Sequence, residues 1–212
     1  MFALAAVAGA VSMAGAQAKP AAKSAASAPA GLLHFVVAPT GNEGRYRVRE
    51  TLFGHDFPND AIGKTTDITG GLFVDPATGK IAPEGSMITI NVATMKSDQP
   101  RRDKVIRTQA IETDKFPTVT IVPKTFIGLT AKPGSAPQTF DFIGDLTVHG
   151  TTRAIKWNVT ARAEGEDILG TANTAFTFAD FNFEKPKSAM ALSVEDTIKL
   201  EYDFHFTPAK TP

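Results

Sequence analysis

The sequence has no cysteine, and that absence excludes a disulfide framework, a thiolate nucleophile and any cysteine-ligated zinc or iron-sulfur cluster. It says little about compartment, because large exported bacterial domains often do without disulfides. Histidine is scarce, with four in 212 residues. His34, His55, His149 and His205 are scattered, and none stands at the i, i+4 spacing of a helical metal pair. His55-Asp56 would ligate a metal only if a distant partner folded over it, and a solvated turn is the simpler reading. His149 precedes a turn glycine and is expected to face solvent. There is no Gly-x-Ser-x-Gly elbow, no His-Glu-x-x-His and no glycine loop opening a helix. Neither a catalytic set nor a metal site is therefore assigned. Net charge is also missing, since 22 basic residues balance 22 acidic ones. That balance is not the electrostatic footprint of a nucleic-acid groove, and no nucleic-acid partner is expected.

What is present begins with an uncharged, Ala-rich stretch from Met1 to Ala18. Ala14-Gly15-Ala16 and Ala16-Gln17-Ala18 fit the small-x-small pattern of a signal-peptidase site, so residues 1–18 are expected to be a cleaved export signal. It lacks a basic n-region, which leaves an upstream start or an atypical signal, and an apolar helix that stays attached is the alternative. Residues 19–31, made of Ala, Pro, Ser and Lys without periodicity, read as a flexible linker. The domain proper is expected over residues 32–208, in the periplasm or secreted.

From Leu32 onward apolar and polar residues alternate with a period of two, broken by Gly, Pro, Asn and Asp. Arg45, Arg47 and Arg49 take one face of their strand, and Tyr46 and Val48 the other. Ile88, Ile90 and Val92 share a side, as do Val119 and Ile121. Phe140-Asp141-Phe142 leads into Leu146-Thr147-Val148 through Gly144, where a bulge or close approach is expected, and Gly70-Gly71 reads as a strand end or bulge. After a turn at His149-Gly150 come Ile155, Trp157 and Val159. Phe176, Phe178, Tyr202, Phe204 and Phe206 complete the pattern. About eight such strands with short turns specify an all-β sandwich or a closed barrel, between which the period does not choose. One segment departs: Ser97 to Thr113, with Ser97 or Asp98 as N-cap and Pro100 in the first turn, is expected to be a short helix turning Val105, Ile106 and Ala110 inward. It must stop before Phe116-Pro117.

An eight-stranded barrel encloses just enough room to be filled by side chains or to hold one slim ligand. The inward set mixes Phe with small residues such as Ala93, Gly144, Ala161, Ala172 and Ala175, which suits either a tunnel or ordinary close packing.

Gly144-Asp145-Leu146-Thr147-Val148-His149-Gly150-Thr151-Thr152 resembles the Gly-x-Leu-Thr-x-x-Gly-x-Thr hairpin of the YceI-like family of periplasmic polyisoprenoid-binding proteins. Arg102-Asp103 on the helical segment, Phe116-Pro117 before a strand, and Val194 to Leu200 resemble further family features in the same order, over about Thr69 to Phe206. Leu32 to Gly71 lacks the family's Asp-x-x-His-Ser opening, and Phe178 to Asn182 has Phe and Asn where Arg and Gly are expected. The resemblance implies an antiparallel eight-stranded lipocalin-like β-barrel with one short helix near the barrel end. It also implies a non-enzymatic binding or carrier role for a long apolar lipid, a polyisoprenoid or isoprenoid quinone held as ligand with no cofactor. The residues expected to line the ligand slot are Tyr46, Val48, Ile90, Phe142 and Leu146 in the first half. Trp157, Phe176, Phe178, Tyr202 and Phe204 are those of the second. For Trp157 an ordinary core role is equally open, and Tyr46 and Tyr202 offer hydroxyls to a quinone oxygen.

The dense charge cluster Arg101, Arg102, Asp103, Lys104 and Arg107 reads as a solvated helix face; the sharper alternative pairs Arg102 with Asp103 at the barrel mouth, to greet a head group. Transient contact with a membrane, and a monomer or homodimer, both suit this picture. Three rivals stand beside it: an enzyme acting on bound lipid, for which Glu50 is the one inward acid; an outer-membrane barrel, disfavoured by the charged outer faces and the polar tail after Phe206; and a filled β-domain acting in adhesion or interaction.

Overall fold

The structure, a computed structural model, describes residues 31–54, 56–129, 134–182, 184–186 and 191–210. The expected export signal, nearly all of the linker and His55 lie outside the described residues. Among the described residues eleven strands form one antiparallel sheet: β1 (Leu33–Val37), β2 (Glu43–Leu52), β3 (Asn59–Thr65), β4 (Ile68–Val74), β5 (Ile81–Asn91), β6 (Lys96–Ser97), β7 (Thr118–Ile127), β8 (Gln138–Val148), β9 (Thr151–Glu164), β10 (Asp167–Thr177) and β11 (Ala191–Pro208). Hydrogen bonding runs β1-β4-β5-β7-β8-β9-β10-β11 and returns to β1, which closes an eight-strand barrel. Closure removes the sheet edges that an open sandwich would expose.

The alternation is the cause of the barrel wall. Along β8 the side chains of Phe140, Phe142, Leu146 and Val148 are buried while those of Asp141, Asp145 and Thr147 are half-buried on the other face. Strand β2 buries Tyr46, Val48 and Glu50 and turns Arg45, Arg47 and Arg49 outward. There the arginines tie three strands together. Arg45 meets Glu43, Glu201 and Asp203 at 2.8, 3.0 and 2.6 Å, and Arg47 meets Asp60 and Glu201 at 3.0 and 3.1 Å. So charged an outer face is the reverse of the apolar band that lipid requires of a membrane barrel. Among the described residues no helix is long and apolar enough to cross a membrane.

Strands β1 and β2 both pair with the same edge of β11, at Val37↔Phe206 and Glu43↔Asp203 respectively. They are one barrel strand interrupted at 38–42. Asn42 satisfies the break: its Nδ2 donates to Ala38 O at 2.9 Å, and its Oδ1 accepts from the His205 N–H at 3.0 Å and the Tyr202 hydroxyl at 3.2 Å. Strands β3 and β4 are a second interrupted strand, because β3 pairs with β2 while β4 pairs with β1 and β5. The β3 half therefore peels away from β5, and its free edge carries only the two-residue β6.

Into that gap falls the non-sheet segment. It is an α-helix, α1 (Pro100–Val105), continued by a π-helical turn over Ile106–Ala110, shorter than the expected span. The cap is also different from expectation: Gln99 is the N-cap, with no side-chain cap bond. Asp103 is occupied elsewhere, accepting from the Ser97 N–H at 2.8 Å and its hydroxyl at 2.7 Å, which ties α1 to β6.

The hairpin β8–β9 turns on His149 and Gly150, whose φ values of 50° and 73° are those of a two-residue type I′ loop. His149 is not solvated as expected: its Nε2 lies 2.9 Å from Glu112 Oε2 and its ring 4.4 Å from that of Phe116. Bulges sit where glycine suggested them, between Gly71 and Phe73 and opposite Gly144, where Pro123 needs no ladder hydrogen bond. Two small residues expected inside are exposed, Ala93 just after β5 and Ala175, which strict alternation sets on the face opposite Phe176.

Candidate functional site

The barrel is hollow. Two part-open chambers of about 460 and 450 Å³ occupy its two ends and share Ile121, Trp157 and Tyr202 as lining. Each lies within the roughly 300–1,000 Å³ of small-molecule sites. Trp157 is the waist between them. It is 1% exposed and stacks on Phe142, its register partner on β8, with ring centroids 6.0 Å apart.

The first chamber lies at the end where the sheet has opened and α1 has entered. Tyr46, Val48, Ile90, Leu146, Phe176 and Phe178 contribute from the strands, and Val105, Ile106 and Ala110 from the helical segment. One closely buried charged pair stands in this apolar wall. Arg102 Nη2 donates to Glu50 Oε1 at 2.6 Å, with side-chain exposures of only 12% and 11%, and Arg102 also pairs with the exposed Asp98. Burial disfavours the Arg102 cation, but its bonds to Glu50 and Asp98 outweigh that and hold it above its ordinary value. The alternative that paired Arg102 with Asp103 gives way to a pairing with Glu50, across 52 positions of chain, because Asp103 is spent on Ser97. Glu50 is consequently the counter-ion of a pinned cation and not a free base.

Tyr46 lies flat across Gly63 on the paired strand: a Cβ there would stand 2.2 Å from its ring, so no side chain larger than hydrogen fits without moving it. Burial pushes the Tyr46 phenol well above its ordinary value, as it does that of Tyr202. The Tyr46 hydroxyl and the Trp157 indole N–H are buried without a hydrogen-bond partner among the described residues, an arrangement that costs free energy where it occurs.

The second chamber is at the other end, beneath the β4–β5 turn, where Asp75 Oδ1 accepts the Ala77 N–H at 2.8 Å. Its lining is apolar and strongly aromatic, with Phe126, Phe140, Phe142, Phe204 and Phe206 around Ala161 and Ala172. Phe126 and Phe140 pack edge to face at 5.4 Å, a geometry their ring quadrupoles favour. The small alanines leave the space those rings surround.

Of the residues expected to line a ligand slot, the structure gathers Tyr46, Val48, Ile90, Leu146, Phe176 and Phe178 at the helix end, and Phe142 and Phe204 at the far end. Trp157 and Tyr202 face both. The Tyr202 hydroxyl is already committed to Asn42, which removes it as a donor to a ligand. The expected set omits Phe126, Phe140 and Phe206. The latter two share the alternation of Phe142 and Phe204 and were within reach of the period, whereas Phe126 follows the bulge at Pro123, which breaks it. Among the described residues no group of three or more His, Asp or Glu side chains could hold a metal ion.

Comparison with known proteins places this geometry. The family described as YceI-like domain matches residues 35–206. A UPF0312 protein of Pseudomonas putida strain GB-1 is 29% identical over 133 residues, 58% of this chain and 64% of the relative. The chain thus spans a little under two thirds of that relative's length. A UPF0312 protein of Shewanella baltica strain OS185 is 26% identical over 147 residues, 66% of this chain and 73% of the relative. Among solved structures, a polyisoprenoid-binding domain from Saccharophagus degradans superposes with a TM-score of 0.63 at 12% identity, covering 84% of this chain and 99% of that one. Burkholderia cenocepacia BcnA follows at 0.59 and 14%, covering 77% and 95%. Identities this low show the shared barrel and nothing finer.

Proposed function

This chain belongs to the YceI-like domain family, and from that premise we propose that its barrel binds one long-chain apolar lipid, a polyisoprenoid or isoprenoid quinone, and carries it in the periplasm without chemistry of its own. The observation that carries the reading is the pair of apolar chambers meeting at Trp157, a hollow that the interior side chains do not fill. The polyisoprenoid-binding domain whose barrel it resembles supports the same class of guest.

The energetics suit a carrier. Burying hydrocarbon from water gains about 0.8 kcal/mol per CH₂, so a few isoprene units outweigh ordinary binding costs. Measured from a bilayer, where the tail is already dry, transfer into the barrel is nearly balanced, which is what loading and release both require. Rigid aromatic walls hold a narrow slot open at little entropic cost. The unpartnered donors of Tyr46 and Trp157 beside the first chamber favour a guest that brings an oxygen acceptor over a bare hydrocarbon.

The test is organic extraction of chain purified from its native compartment, followed by mass spectrometry. An isoprenoid lipid near one per chain is expected. Repeated preparations containing no lipid would defeat the reading.

A further inference from the structure

Resting on the lipid-binding reading and deepening it, we propose that the helix-end mouth is a membrane-docking lip. Phe53, Phe57 and Leu192 enter the headgroup region of a phospholipid bilayer while Arg101, Lys104 and Arg107 face anionic headgroups, so the guest passes between bilayer and chamber without crossing water.

The three apolar side chains are 73%, 80% and 64% exposed, and they belong to one place. Phe53 follows Leu52 and Leu192 follows Ala191. Leu52 and Ala191 are register partners that both line the first chamber. Phe57 lies in the same β2–β3 connection, which ends at Asn59 opposite Glu50, another lining residue. Single exposed apolar residues need no explanation. Three around the rim of an apolar chamber do, because they extend its dry wall outward.

Charge selects the partner. Over residues 100–110 there are four cations and a single acid, Asp103, which Ser97 occupies. Of those cations only Arg102 is ion-paired among the described residues. The acids of the rim are mostly matched: Glu50 and Asp98 by Arg102, Asp60 by Arg47 and Arg49, and Asp196 by Lys185, leaving Asp56, Glu184 and Glu195. The unmatched positive charge is thus gathered on the helix side of the lip. Apolar and aromatic side chains beside unpaired Arg and Lys is the combination that anchors proteins at an anionic bilayer surface.

Flotation with vesicles of phosphatidylcholine alone, or mixed equally with phosphatidylglycerol, tests the proposal. The full chain is expected to float with the mixed vesicles, and Phe53→Ser/Phe57→Ser/Leu192→Ser to weaken this by roughly tenfold or more. Arg101→Glu/Lys104→Glu should reduce mixed-vesicle binding to the phosphatidylcholine level. No flotation of the parent chain, indifference to the triple substitution, or a dimer that the triple substitution dissolves while flotation is unchanged would each overturn it. Phe57→Ser alone serves if the triple variant fails to fold. A triple variant that retains extractable lipid yet does not float separates the lip from the chamber. A parent chain that floats but never yields lipid keeps the lip and removes the carrier.

Discussion

The two ends of the barrel enclose nearly equal volumes, about 460 and 450 Å³, with opposite chemistry. At the helix end the sheet has opened, a helical segment has entered, and an ion pair and a tyrosine stand in the wall. At the far end the strands stay paired around the barrel and the lining is rich in phenylalanine. An apolar chain needs only the second kind of wall. A polar terminus needs the first, so on the proposed lipid-binding reading the asymmetry would give the guest a direction, with its tail toward Phe140 and Phe204 and any oxygen function toward Tyr46 and Arg102. Trp157 belongs to both halves and divides them.

The largest effect is expected where the halves meet. Trp157→Asp places an unpaired carboxylate at a site 1% exposed and should destabilise the chain by about 4 kcal/mol or prevent folding, read by chemical denaturation. Near-parent stability would show that Trp157 is not the shared waist. Next comes the charged pair that distinguishes the helix end. Glu50→Ala leaves the Arg102 cation only the exposed Asp98 as ion-pair partner and should cost about 2–3 kcal/mol, while Glu50→Ala/Arg102→Met should recover much of that loss. Equal stability of the single and double variants would mean that the pair does not fix this end.

A smaller effect on stability, but a sharper one on function, follows from filling each half separately. Ala172→Phe adds bulk to the far chamber and Val48→Trp to the helix-end one. Each should alter stability by no more than about 1–2 kcal/mol, and each should shorten the longest lipid recovered on extraction. If one filling abolishes lipid and the other changes nothing, a single chamber holds the guest.

The smallest effect concerns acid. Glu43 and Asp60 are held below their ordinary values chiefly by hydrogen bonds from Arg45 and Arg47, and Glu201 likewise once the opposing effect of its burial is outweighed. Depressed carboxyls contribute stability that is complete above their unfolded values, 4.5 for Glu and 3.8 for Asp, and is lost as pH falls through the lower folded values. These groups all brace β2, β3 and β11. Amide exchange in β2 and β3 should therefore accelerate below about pH 4 before that in β7 and β8. Uniform acceleration would show that these ion pairs do not brace β2 and β3 selectively.

Much of this was legible in the chain. The period of two along Phe140 to Val148 and Tyr202 to Phe206 places inward residues without further information, because one face of a closed sheet must be apolar. The hairpin at His149-Gly150 is readable from its turn residues. What was hidden is non-local. The breaks at 38–42 and 66–67 leave the alternation almost intact while the hydrogen-bonding partner changes, so no local pattern marks them. Arg102 meets Glu50 rather than its neighbour Asp103 because a helix entering a gap faces whatever strand borders it. The aromatic density of the far chamber depends on Phe126, thrown out of period by the bulge at Pro123.

The central claim is that one guest occupies the hollow on both sides of Trp157, the only tryptophan in the chain. Its fluorescence should therefore be followed as delipidated protein is titrated with an isoprenoid quinone. The account predicts quenching that saturates near one ligand per chain and, when either chamber is filled, persists only for quinones of shorter tail. Emission unchanged at every concentration would contradict it.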